Sequence, residues 1–501
     1  MTRAHEDLLV AAPVLAPLLA VCVAALGTSR PATARLVALG VSALNLAGAL
    51  ALLARVADAG SLSLGFGGWL ASVRADGPAL GDLAPSLLAD PASATLVATF
   101  ALAVAALTLH SHARPETPDE QARTALALPL VALGGQTACL AADLATQVFS
   151  LELMTLGAAL TARPDAREAS GGLLRTSLVA TTIALLGLTA LVAFTGTTRL
   201  AALPEALGRL PPQTRDVAQA ALLAVVASLL HRAAVTPLGG WLLALTRDSA
   251  SRAASLAPLL AVAGFAALSR LHHPLTAGLE AAVAAGCGPC RDLRLEHLDA
   301  LLLPLGVAGA VLTSLGALRS DSLARLGGWL IAGGLATALV ALTLPGGPRP
   351  GPAPTAMVQL AQVALAGVVL MLIVEFRAPA SGPSPSQPAV MAPFAVATAA
   401  LVGLPPLAGF TVQLVAWRAL RESDAGLVAI GALALAMGLA TLAVARAASR
   451  HLWRAPAPEA STSQPAPWPS RLAVATLTLA ILALTVGASP LLAHLASGGR
   501  P

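Results

Sequence analysis

The sequence predicts an all-α polytopic membrane protein of about fourteen transmembrane helices. Composition is the first reason. The 501 residues are 56% hydrophobic and 11% charged, with a mean hydropathy of +0.79; a soluble domain carries roughly 25% charged residues. The second reason is length: apolar runs of about 20 residues recur from end to end, and each is long enough to cross a bilayer. The third is pattern. A membrane β-barrel would show short segments of alternating hydrophobicity, and this chain shows long unbroken ones.

The runs lie near 8–28, 34–56, 91–111, 122–140, 143–162, 172–197, 216–246, 253–271, 298–318, 323–344, 355–376, 389–421, 424–446 and 471–493. The first lacks a basic approach and a small-residue cleavage site, so it is expected to be a retained helix and not a signal peptide. The seventh and twelfth are too long for one straight span. The seventh holds Pro237, and the twelfth holds "GLPPLAGF" at 403–410, with Gly403, Pro405, Pro406 and Gly409. Proline removes a backbone donor and clashes with the preceding turn, and an interior glycine costs about 1 kcal/mol relative to alanine. Two readings fit such breaks. One is a plain proline kink. The other is a discontinuous helix of the kind transporters place at ion sites, where irregular backbone is buried in protein or lines a watery cavity. Two breaks in corresponding halves, each beside a polar residue, favour the second.

Arginines near helix ends, including Arg30, Arg35, Arg114, Arg123, Arg247 and Arg252, favour an orientation with both termini outside. Lys and Tyr are absent, a bias toward Ala, Arg, Gly and Pro that a GC-rich bacterial genome would produce. The net charge of +5 is spread over short loops, so nucleic-acid binding has no support. Loops 112–121, 377–388 and 454–470 are polar or Pro/Ser-rich and cannot pack a core. No extramembrane segment is long enough for a globular domain. Any chemistry therefore needs the membrane interior or a partner.

A charge inside a spanning helix is expensive and marks a candidate site. Glu152 lies in "DLATQVFSLELMTLGAAL" (143–160), and Arg232 in "ASLLHRAAVTPLGGW" (227–241), five residues before Pro237 and next to His231. An ion pair between Glu152 and Arg232 would lower the cost of burying both. The competing reading has Glu152 near the outer interface and merely hydrated.

At these stretches the chain resembles the antiporter-like subunits of respiratory complex I, subunit N most closely; Mrp-type cation/proton antiporter subunits belong to the same superfamily. The matching segments are "DLATQVFSLELMTL" (143–156), "HRAAVTPLGGW" (231–241), "LAPLLAVAGFAALSRL" (256–271), "SLARLGGWLIAGG" (322–334) and "GLPPLAGFTVQ" (403–413). They cover roughly residues 90–450. The resemblance implies two inverted five-helix repeats, 122–271 (helices 4–8) and 298–446 (helices 9–13), after an N-terminal unit 1–121 and before a last helix at 471–493. Helices 7 and 12 would be broken, and a hydrated polar axis would run through the midplane. It further implies a glutamate on helix 5 at Glu152, paired with a lysine position on helix 7 that falls on Arg232. Other family lysine or histidine positions fall on Gly239, Ala261, Gly334 and Gln413. Arg cannot be deprotonated in a protein. Ala261 and Gly334 cannot carry a proton, and Gln413 does not titrate. Most of the proton relay would then be missing, with His231 a displaced titratable candidate. The helix-break residues Pro237, Gly403, Pro405, Pro406 and Gly409 complete the candidate site.

"CGPC" at 287–290 matches a redox motif, but that motif needs a helix N-terminus in a βαβ setting and here lies between two spans; Cys287 and Cys290 would at most form a local disulfide. Cys22 and Cys139 read as small apolar residues. His272, His273 and His297 lack a carboxylate cluster and read as an interfacial loop. No motif for NADH, flavin, quinone or iron–sulfur binding is present. The expectation is therefore a chain that binds no cofactor of its own. It would act as a membrane-arm subunit of a proton-translocating complex in a bacterial inner (cell) membrane, with NADH or another donor and quinone used by the complex. The partners would be other membrane-arm subunits and the lipid bilayer. Two rivals are a non-conducting structural subunit of such a complex and an Mrp-type antiporter subunit.

Overall fold

A computed structural model describes residues 3–26, 31–65, 83–113, 116–161, 167–247, 252–284, 296–344, 352–376, 387–422, 426–452 and 467–496. Its helices are α1 (Arg3–Leu26), α2 (Pro31–Ala59), α3 (Pro91–His112), α4 (Pro118–Leu140), α5 (Leu144–Leu160), α6 (Arg167–Thr195), α7 (Leu203–Gly208), α8 (Pro212–Arg232), α9 (Gly240–Leu245) and α10 (Arg252–Ala284). There follow α11 (Glu296–Leu318), α12 (Leu323–Leu342), α13 (Pro352–Phe376), α14 (Gln387–Val402), α15 (Ala408–Leu420), α16 (Gly426–His451) and α17 (Trp468–Ala496). Ten of them are long and apolar enough to cross a membrane alone. The other four expected crossings are made by α4, α5, the pair α8–α9 and the pair α14–α15. The long runs seven and twelve are thus two helices each, broken where the prolines fall.

Three features depart from the expected pattern. An antiparallel hairpin pairs β1 (Leu62–Gly65) with β2 (Ser86–Ala89) before α3, a small addition to the all-α bundle. A short helix, α7, lies between α6 and α8. The eighth span does not stop at 271: α10 runs on through Pro274 to Ala284, which puts His272 and His273 on a helix instead of a loop. His272 Nε2 sits 2.6 Å from Asp299 Oδ1 on α11. Cys287 and Cys290 lie outside the described residues.

Local chemistry explains where the helices begin. Pro91 and Pro118 occupy first-turn positions that need no N–H donor. Asp90 caps α3 and Thr117 caps α4, each in a reciprocal box with the residue three positions on. Asp143 is fully buried and caps α5; its carboxylate accepts from Thr146 N and Ser86 N, both at 2.8 Å, and so ties the hairpin to the start of α5. Arg270 on α10 fastens the same end of the bundle. It donates to the carbonyls of Ala141 (2.8 Å) and Leu88 (3.0 Å) and to Asp90 Oδ2 (3.0 Å).

The five crossings α4, α5, α6, α8–α9 and α10 correspond in order to α11, α12, α13, α14–α15 and α16. Each packed pair in the first set has its counterpart in the second: α4 with α5 and α11 with α12, α6 with α8 and α13 with α14, α4 with α10 and α11 with α16. Five is odd, so the second set enters from the opposite side of the bilayer and equivalent helices run in opposite directions. The apolar cores of α10 and α13 are wholly buried, whereas α1, α2, α6, α16 and α17 turn much of their surface outward. Their exposed side chains are those of a lipid contact, such as Leu178, Val179, Leu427, Val428 and Val486.

Small residues let the helices approach, as expected where packing replaces the hydrophobic effect. A Cβ on Gly134 of α4 would lie 2.4 Å from the Ser150 carbonyl oxygen of α5. A Cβ on Gly264 of α10 would lie 2.5 Å from the carbonyl carbon of Arg232, so α10 rests directly on the broken end of α8. Gly264→Ala is therefore expected to lower stability by about 1–3 kcal/mol through overpacking. Gly431→Ala on α16, where a Cβ meets open space, is expected to lower nothing. Thermal unfolding of both variants in detergent checks the contrast.

Candidate functional site

The two helix breaks are built alike. Helix α8 ends with Ala234 at a positive φ of 52°, and α14 ends with Gly403 at φ 78°. In each case the next amide reaches back five residues, from Val235 to the Leu230 carbonyl (3.1 Å) and from Leu404 to the Ala399 carbonyl (2.9 Å). This is the closing bond of a Schellman motif, and it satisfies a carbonyl that the end of the helix leaves free. Three residues past each left-handed residue comes a cis X–Pro peptide, Thr236–Pro237 and Pro405–Pro406. The flanking segments match in the same register: "TPLGGW" (236–241) against "PPLAGF" (405–410). Pro237, Gly403, Pro405, Pro406 and Gly409 therefore all lie at real interruptions.

At the first break, Arg232 is the last residue of α8, and its side chain is 6% exposed. Its Nη2 donates to Glu152 Oε1 on α5 and to Thr181 Oγ1 on α6. Thr181 Oγ1 in turn donates to the same Glu152 oxygen, and Ser177 Oγ approaches it at 3.4 Å. The expected Glu152–Arg232 pair is formed, and it is gripped by two hydroxyl residues one helical turn apart on α6. The Glu152 carboxylate is 27% exposed, flanked on α5 by the exposed side chains of Phe149, Leu153 and Leu156. His231 is also at the break, with Nδ1 3.0 Å from the Leu238 carbonyl oxygen; the Trp241 indole donates to the His231 carbonyl at 2.8 Å. Thr155, Ser177, His231, Arg232 and Trp241 help line a cavity of about 20 Å³, room for about one water.

The second break has no such pair. Gln413 on α15 donates from Nε2 to the Val402 carbonyl at 3.0 Å, and Gln362 on α13 donates to the Ala400 carbonyl at 3.0 Å. Both side chains are buried. These amides satisfy the end of α14 much as a cap would. Ala261 is fully buried within α10. Gly334 and Gly239 have no space for a side chain: a Cβ would lie 2.6 Å from Val363 Cγ2 at the first and 2.2 Å from the Ala234 carbonyl oxygen at the second. The structure thus brings Glu152, Arg232 and His231 together and places Gln413 in the other half.

Sequence reading passed over Ser177 and Thr181, and a second buried cluster. His110 at the end of α3 lies with Nδ1 3.0 Å from Ser470 Oγ of α17 and Nε2 3.4 Å from Glu375 Oε2 of α13. Arg252 at the start of α10 pairs with Glu116 and donates to Thr124 Oγ1. The rule that selected Glu152 applies equally to Glu375, which closes the apolar run "VVLMLIVEF". Among the described residues no group of three or more His, Cys, Asp or Glu side chains forms a metal site.

No protein-family model matches the sequence, and no curated protein sequence does. Solved structures do match. A chain of the Mrp complex from Dietzia sp. DQ12-45-1b aligns over 100% of this chain and 97% of its own, with a TM-score of 0.80 at 18% identity. A chain of the membrane-bound sulfane sulfur reductase, an archaeal respiratory membrane complex, aligns over 99% and 97%, with a TM-score of 0.78 at 16% identity. A chain of respiratory complex I from Thermus thermophilus aligns over 97% and 100%, with a TM-score of 0.70 at 20% identity. This multi-pass chain shares the fold of these membrane-complex chains over essentially its whole length.

Within this fold the pair is asymmetric: Arg232 is far more buried than Glu152. Glu152→Gln leaves a guanidinium in the protein interior with only neutral partners, a loss of roughly 3 kcal/mol or more for breaking a buried pair. Arg232→Gln leaves a more exposed carboxylate, and its cost is expected to be smaller. Thermal unfolding of the two single variants and the double variant gives the coupling energy; equal losses in the two single variants would contradict the asymmetry.

Proposed function

We propose that this chain is a membrane-arm subunit of a proton-translocating, complex I-like assembly, resembling subunit N, and that it couples to quinone reduction carried out elsewhere in the complex. The supporting observation is the Glu152–Arg232 pair at the first helix break, bridged by Thr181. A charge pair at membrane depth, between an interrupted helix and its neighbours, is the arrangement of an ion-handling element and not of a passive filler. In this reading Glu152 is the group that exchanges a proton. Arg232 is a fixed charge that holds the Glu152 side chain in place at the break. His231, on the adjacent cavity wall, is the second titratable group within reach. The electron donor and quinone belong to partner subunits, and the chain holds neither. Its place would be the bacterial inner membrane, among sister membrane-arm subunits.

A second reading, a subunit of an Mrp-type cation/proton antiporter, is favoured by one observation: the Dietzia Mrp complex chain aligns over the full length with a TM-score of 0.80. Purification of a tagged chain from its own membranes in mild detergent separates the two. Co-purification of a quinone-reducing arm and sister subunits is expected. In vesicles containing that complex, Glu152→Gln is expected to depress proton pumping per quinone reduced while quinone reduction persists. Isolation with small Mrp-type partners and no quinone-reducing arm selects the antiporter subunit instead.

A further inference from the structure

The cavity at the second break differs from its counterpart in kind. It measures about 30 Å³ and lies among α11, α12, α14, α15 and α16. Among the described residues no Asp, Glu, Arg or His lines it. The position matching Arg232, by the register of the two breaks, is Leu401, which is one of the lining residues. Four lining side chains bring oxygen: Thr313, Ser314, Thr337 and Gln413.

The hydroxyl hydrogens of these groups are already committed. Thr313 Oγ1 donates to the Gly309 carbonyl at 2.8 Å, Ser314 Oγ to the Ala310 carbonyl at 2.8 Å and Thr337 Oγ1 to the Gly333 carbonyl at 3.1 Å. Gln413 gives one N–H of its amide to the Val402 carbonyl, which only the NH₂ end can satisfy, so its Oε1 is the other end. That oxygen is buried and has no hydrogen-bond partner among the described atoms. Trp329 is the one other lining residue with a polar hydrogen, and it turns its ring toward Gly316. The cavity is therefore bordered by oxygen acceptors with almost nothing to donate to them. It also lies at the C-terminal end of α14, the negative pole of a half-helix.

We propose that this cavity is a binding site for a small monovalent cation, held by neutral oxygens of Thr313, Ser314, Thr337 and Gln413. Oxygen-only sites of carbonyl and hydroxyl groups replace a cation's hydration shell without a counter-charge, and C-terminal ends of half-helices serve the same purpose. The volume admits a particle about the size of a water molecule and no organic ion. The first cavity is bordered by the Arg232 guanidinium and the second by neutral oxygens, so the two cavities of one fold differ in kind. The inference does not depend on proton pumping or on the partners of the chain.

The test is thermal unfolding of the purified full chain, with any co-purifying partners, at constant ionic strength. Sodium, potassium or ammonium replaces choline, which is too large to enter. Binding to the folded state alone raises the unfolding midpoint in a saturable way. At least one of the three cations is expected to do so, with half-saturation in the millimolar range. Thr313→Val, which keeps the volume and removes an oxygen, is expected to weaken binding about tenfold, and Gln413→Met likewise; Thr313→Ser is expected to retain it. A midpoint that is the same in choline as in all three cations overturns the proposal and leaves the cavity to water. So does a cation effect that survives both Thr313→Val and Gln413→Met. Neither result bears on the Glu152 pumping measurement, which reads a different half of the protein.

Discussion

An interrupted helix in hydrocarbon exposes backbone groups that lipid cannot satisfy, each at a cost of several kcal/mol, so every one must find a partner within protein. Both breaks obey this constraint, and much of the architecture follows from it. The reach-back bonds from Val235 and Leu404 close the helix ends. The fully buried helices α10 and α13 then cover them: Gly264 of α10 presses on the backbone at Arg232, and Gln362 of α13 donates to Ala400. A lipid-facing helix in either place would leave carbonyls bare. The most buried helices of the bundle are thus those that shield its least regular backbone.

Given two equivalent breaks, the two halves solve the remaining problem differently. The first spends a charged side chain on it. Arg232 carries a guanidinium into the interior, and Glu152, Thr181 and Ser177 gather to offset the desolvation. The second uses neutral amides, Gln413 and Gln362, which cost far less to bury when their N–H groups are bonded. Backbone satisfaction alone would be met by the neutral solution twice, so the charge in the first half is not a requirement of the break.

Legibility in the sequence followed rarity. Proline and glycine are uncommon enough inside apolar runs that Pro237 and "GLPPLAGF" located both breaks, and charges are rarer still, so Glu152 and Arg232 stood out as a pair. Thr181 and Ser177 did not, because hydroxyl residues are ordinary in membrane helices, where they donate to their own backbone, as Thr182 and Thr189 do here. His110 and Glu375 were hidden for another reason. Each lies near a helix end, where polar side chains usually reach the interface; only the packing of α3, α13 and α17 shows that both are buried. The hairpin at 62–65 and 86–89 was beyond local reading, since its strands are short and separated by a long stretch of chain.

The glycines at 239 and 334 say something that the missing side chains alone do not. At 239 a Cβ would fall on the backbone of Ala234, whose left-handed conformation closes α8. At 334 it would fall on Val363, beside the Gln359 amide that donates to the Gly334 carbonyl at 3.4 Å. The space that a relay side chain would need is occupied by backbone in one case and by a packed helix in the other. Replacing Gly239 with histidine or lysine would require the first break to be rebuilt, and replacing Gly334 would require α12 and α13 to move apart. The lack of a titratable side chain at these two positions, one in each half, is therefore a property of the packed fold, and a single substitution at either would not undo it.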